Sequence, residues 1–82
     1  MTNSGFIDID IHGCTKRGAK QHIDACLRKA DSGVYRVRII HGCHGGTELR
    51  DMVRSEYRRH PRVIRIATGL NPGETFLVLK EL

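Results

Sequence analysis

From Phe6 to His12 the chain alternates strictly, with Ile7, Ile9 and Ile11 on one side and Asp8, Asp10 and His12 on the other. A period of two predicts a strand with one face buried. The period then changes. Ala19, Ile23, Cys26, Leu27 and Ala30 recur at helical spacing, which predicts a helix from Lys16 to about Ser32, capped by Thr15 and closed by Gly33. Alternation returns from Tyr35 to His41, with Tyr35, Val37 and Ile39 facing the core and Arg36, Arg38 and Ile40 facing away. Leu49, Met52, Val53 and Tyr57 then mark a second helix from about Glu48 to Arg59, with Thr47 as its cap and Pro61 preventing its continuation. Two further strands, Val63 to Thr68 and Thr75 to Lys80, flank an Asn71-Pro-Gly73 turn and read as a hairpin.

The resulting order, β-α-β-α-β-β, predicts an α/β fold of the two-layer α+β kind. Two right-handed crossovers wound in one direction place both helices on the same sheet face. The other face stays open and carries Asp8, Asp10, His12, Arg36 and Arg38. Such a face suits a charged ligand; a ladder of surface ion pairs explains it equally. The 82 residues contain no linker or low-complexity stretch, so residues 1–82 read as one domain with a core at about 6–80.

Composition narrows the function classes. No apolar run is long enough to span a bilayer, and the start Met1-Thr-Asn-Ser-Gly5 is not that of a signal peptide, so a cytoplasmic location without membrane contact is expected; a monomer is also expected. Three cysteines, Cys14, Cys26 and Cys43, are an odd set that suits reduced thiols better than disulfides. The net charge of +5 favours an anionic partner, with nucleic acid foremost.

Two segments carry candidate chemistry. His12-Gly13-Cys14 and His41-Gly42-Cys43 each end a strand and precede a helix, which places both at the carboxyl edge of the sheet, where open α/β sheets bind ligands. After His41, the turn Gly42-Cys43-His44-Gly45-Gly46 runs into a helix start, where backbone amides and the helix dipole favour a phosphate. Arg50 lies one turn on, with Arg54 and Arg58 continuing its row. A plain glycine-rich connection beside a solvated arginine face is the simpler alternative. Asp10 and His12 pair a carboxylate with an imidazole at a spacing suited to sharing a substrate or a water without bonding to each other directly. Ordinary strand-surface polarity gives the same triplet. His12, Cys14, His41, Cys43 and His44 hold zinc-type donors, but their spacings are not those of structural zinc sites, and no metal ligand is assigned. Cys43 beside His41 is also a possible nucleophile, although no third residue orients it.

These segments together resemble the Smr (small MutS-related) domain family. Ile9-Asp10-Ile11-His12-Gly13 resembles its first signature, and His41-Gly42-Cys43-His44-Gly45-Gly46 its second. Leu49-Arg50 and Asn71-Pro-Gly-Glu-Thr75 lie where the family has similar residues, so the likeness runs from about Ile7 to Leu79. It implies a sheet of order 1-2-4-3 with the fourth strand antiparallel, in a stand-alone domain. It also implies DNA or RNA binding and, in several members, cleavage or nicking of the backbone. Carried over, Asp10 and His12 are the catalytic candidates; His41, Gly42, Gly45 and Gly46 form the phosphate turn. Two departures stand out. His44 occupies a position that is glycine in the family and becomes a further phosphate contact, and one extra residue precedes Leu49-Arg50.

The reading that follows is an endonuclease acting on RNA or DNA, with a non-catalytic binding module of the same fold as the alternative. Arg36, Arg38 and Arg50 would hold backbone phosphates. With RNA, His12 would take a proton from a 2′-hydroxyl or a water. With DNA, Asp10 would support a divalent ion, magnesium or manganese, that activates water. Few aromatics are available to stack on bases, so recognition should rest on backbone and shape.

Overall fold

A computed structural model describes residues 5–43 and 45–81 of the chain. Seven elements follow in order: strand β1 (Phe6–Asp10), helix α1 (Lys16–Lys29), strand β2 (Arg36–Ile40), helix α2 (Glu48–Glu56), a single 3-10 turn η1 (Tyr57–Arg59), and strands β3 (Arg65–Ala67) and β4 (Glu74–Val78). The strands form one mixed sheet of order β1-β2-β4-β3. β1 and β2 are parallel, and β4 runs antiparallel to both β2 and β3. Fold class and strand order are those expected from the sequence.

The core lies between the sheet and the two helices. Ala19, Ile23 and Leu27 from α1 and Val53 from α2 meet Ile11, Val37, Ile39 and Leu77 from the sheet side, all fully buried. Cys26 packs at the margin of this cluster, and burial raises its thiol pKa. Tyr57 fills the far end of the core, where its hydroxyl donates to Asp24 at 2.6 Å.

The elements are shorter than the hydrophobic pattern suggests. α1 stops at Lys29 rather than near Ser32, and Gly33 does not close it. Asp31 accepts from the Gly33 amide at 2.8 Å, an Asx turn that diverts the backbone. The terminal carbonyls of α1 are met from outside the helix: the Arg62 guanidinium donates to the carbonyls of Leu27 and Ala30. At the other end, Thr15 is the expected cap and accepts from the Gly18 amide at 3.0 Å. Thr47 is not a side-chain cap for α2, because its hydroxyl donates to the Asp51 carboxylate instead. The last turn of the second helix tightens into η1, and His60 leaves the helical region ahead of Pro61 as its position requires. β3 keeps only three residues of the six expected.

Because Arg62 is the outside donor for the end of α1, Arg62→Met should keep the aliphatic stem and lose the cap. A destabilisation of about 1–3 kcal/mol is expected, read as a lower urea midpoint with unchanged slope.

Candidate nucleic-acid interface

The parallel register fixes what each strand end presents. Asp10 sits opposite Ile40, and the ladder continues with the Ile11 amide donating to the Ile40 carbonyl at 2.9 Å. By alternation His41 then follows Val37 and Ile39 to the core side, while His12 stays on the side of Asp8 and Asp10. Burial agrees: His41 is only 6% exposed, whereas the His12 side chain is 70% exposed. The two His-Gly-Cys segments therefore place their histidines on opposite faces. Their glycines are alike, with φ of 80° at Gly13 and 83° at Gly42, a region that glycine adopts without strain.

β1 ends at Asp10, and the chain turns at once. Asp10 Oδ1 accepts from the His12 amide at 3.1 Å, an Asx turn, and from His12 Nδ1 at 2.5 Å. This corrects the expectation that the two side chains would not bond directly. In a flat strand they would point the same way without touching; the turn folds the ring back onto the carboxylate. The hydrogen bond from the His12 ring, followed by that from its amide, lowers the Asp10 pKa below its usual value. An ionised carboxylate can only accept, so Nδ1 carries the ring proton and Nε2 keeps a free lone pair. The arrangement is a base held by an orienting carboxylate.

His12 lines a cleft of about 470 Å³ together with Gly13, Cys14, His41, Gly42, Cys43, Gly45 and Gly46. The cleft thus unites the two segments that the sequence separates by some thirty positions. The amides of His41 and Gly42 both donate to the Gly73 carbonyl, at 2.9 and 3.0 Å, so neither is free for a ligand. Those of Gly45 and Gly46 make no hydrogen bond among the described residues. His44 lies outside the described residues. Glu48, in the first turn of α2, also lines the cleft and complements the helix dipole there.

The arginines are differently placed. Arg38 holds Asp8 through Nη2 at 2.7 Å and Nε at 3.1 Å, and reaches Glu74 at 3.4 Å, the ion-pair ladder foreseen as an alternative. Arg36 is half-buried beside it and makes no ion pair among the described residues. Arg50 pairs with its neighbour Asp51 at 3.1 Å and does not line the cleft. Arg54 turns inward and donates to Thr75 at 3.0 Å, so Arg50, Arg54 and Arg58 are not one solvated row. No three His, Cys, Asp or Glu side chains converge to hold a metal among the described residues. Asp10 Oδ1 is engaged by His12, which leaves Oδ2 as the oxygen that would hold a magnesium or manganese ion together with water and substrate phosphate. Sequence reasoning missed Thr75, Arg54 and Gly73 as partners of the turn. Only the Asn71-Pro-Gly73 turn signal hinted that this hairpin approaches it.

The shift of Asp10 is open to direct test. In His12→Ala the carboxyl should titrate at higher pH than in the wild-type chain, as seen by its 13C chemical shift. The wild-type pair then favours the folded state above the ordinary carboxylate pKa, and this contribution disappears as pH falls through the lowered value.

A family model described as the Smr domain matches residues 9–74 of this chain. Among solved structures, the crystal structure of the Smr domain of MutS2 from Thermus thermophilus is similar, with a TM-score of 0.79 and 30% sequence identity, covering 92% of this chain and 99% of that one. No curated protein sequence matches. No helix among the described residues is long and apolar enough to cross a membrane. Fold, strand-end signatures and matched span agree, and the chain belongs to the Smr domain family.

Proposed function

We propose that this domain is an endonuclease that cleaves the phosphodiester backbone of RNA, with Asp10 and His12 as its catalytic pair. The observation that carries the reading is the 2.5 Å contact between His12 Nδ1 and Asp10 Oδ1 at the rim of the cleft. It supplies a base with its free nitrogen exposed, which is what attack by a 2′-hydroxyl requires. His12 Nε2 takes the hydroxyl proton, the 2′-oxygen bonds to the adjacent phosphorus, and the 5′-oxygen leaves with a proton from solvent. Asp10 fixes the tautomer and stabilises the imidazolium that forms. This route needs no metal-bound water.

In this reading Gly45 and Gly46 offer amides to the phosphate at the start of α2, and the net charge of +5 draws the polyanion in. Arg50 and Arg36 hold flanking phosphates. Arg38 does so only by leaving Asp8 and Glu74. His41 and Gly42 shape the turn, and His44 serves as a further phosphate contact.

Incubation with end-labelled RNA in EDTA tests the central step. His12→Ala and Asp10→Ala should each lose about 100-fold or more in cleavage rate while still binding RNA. A single 2′-deoxy substitution at the cleaved nucleotide should abolish cutting there. Equal cleavage by wild-type and variant chains would sink the assignment, and binding without any cleavage would return the non-catalytic module. For Arg50→Ala, a lower affinity is expected, with the slope of log K against log salt reduced by about 0.7.

A further inference from the structure

Thr75 is fully buried, and its hydroxyl sits between two side chains. Arg54 Nε–H donates to Oγ1 at 3.0 Å, and His41 Nε2 lies 2.8 Å from the same oxygen. The other ring nitrogen, Nδ1, is 2.9 Å from the Gly42 carbonyl. A carbonyl only accepts, so Nδ1 carries the ring proton and Nε2 is left with a lone pair. The Thr75 hydroxyl donates to that lone pair, while its oxygen accepts from Arg54. The bonds therefore run in one sense, from Arg54 through Thr75 and His41 to Gly42.

The last link bears on the glycine turn. A trans peptide unit is planar, with its C=O and the following N–H pointing in opposite directions. A Gly42 carbonyl held against the buried His41 ring turns the Cys43 N–H away from that ring, and Cys43 itself lines the cleft. This amide makes no hydrogen bond among the described residues, unlike those of His41 and Gly42, which are taken by Gly73.

We propose that the backbone N–H of Cys43 is an anion donor of the turn, and that Arg54 and Thr75 are positioning residues that aim it through His41 and the Gly42 carbonyl. The inference rests on the phosphate-holding role given to the turn above. It gives His41 a part quite different from that of His12. One histidine meets substrate; the other holds backbone. It also accounts for a cationic side chain turned inward from the second helix of a nucleic-acid-binding fold.

The test uses the full 15N-labelled chain, with inorganic phosphate as the probe. Long-range 1H–15N spectra should show the wild-type His41 ring protonated at Nδ1, and phosphate should shift the Cys43 amide. Arg54→Met should let the ring proton redistribute and weaken the Cys43 response by about tenfold in phosphate affinity, the loss of roughly one charged hydrogen bond. Thr75→Val should behave likewise, while Thr75→Ser, which keeps the hydroxyl, should restore both signals. Should Thr75→Val not fold, Arg54→Met against Thr75→Ser carries the comparison. A wild-type ring protonated at Nε2 overturns the inference. So does a silent Cys43 amide while Gly45 and Gly46 respond, or an unchanged Cys43 response in a folded Arg54→Met chain. If no turn amide responds to phosphate in the wild-type chain, the phosphate site itself fails as well.

Discussion

Everything at the candidate site depends on the register between β1 and β2. Pairing Asp10 with Ile40 sends His41 inward and leaves His12 outside. A slip of one residue would exchange those faces, burying Asp8 and Asp10 and exposing the isoleucines, at a penalty no domain of this size would survive. The same pairing brings both strand ends to one edge, where each turns through a glycine of positive φ. The Asp10 carboxylate, freed from the strand by this turn, is close enough to capture the His12 ring. The hairpin before β4 completes the edge, since its Gly73 carbonyl ties down two amides of the second turn.

Charge is distributed to the same end. On the open sheet face, Asp8 and Glu74 occupy Arg38, and Glu81 occupies Arg65. Exposed pairs of this kind add little stability and leave little field to attract a polyanion. Much of the uncompensated positive charge lies instead on the helical layer, where Lys16, Arg17, Arg28, Lys29, Arg58 and Arg59 make no ion pair among the described residues. Lys16 and Arg17 stand in the first turn of α1, where the helix dipole disfavours cations. Both line a separate groove between the helices, which shares Glu48 with the cleft.

Much of this was legible in the sequence. Alternation placed the strands, helical spacing placed the helices, and the crossovers placed both helices on one face. The same alternation, carried one step past Ile39, already turns His41 inward. The likeness of the two His-Gly-Cys segments obscured this, because it invites treating their histidines as equivalent. Other features were hidden because they join residues distant in sequence. Nothing near Lys29 announces that Arg62 will cap α1, and nothing near His41 announces Thr75 or Arg54. The Asp10–His12 bond was hidden for a local reason: spacing along an ideal strand keeps the two side chains apart, and only the early end of β1 lets them meet.

The central claim is that His12, oriented by Asp10, deprotonates a 2′-hydroxyl. The most direct measurement is the mass of the 5′ fragment released from a short RNA in a brief, single-turnover reaction. A fragment ending in a 2′,3′-cyclic phosphate is the predicted product, with a 5′-hydroxyl on its partner. A fragment ending in a 3′-hydroxyl, with phosphate on the 5′ end of its partner, would show that water attacked the phosphorus and would contradict the account.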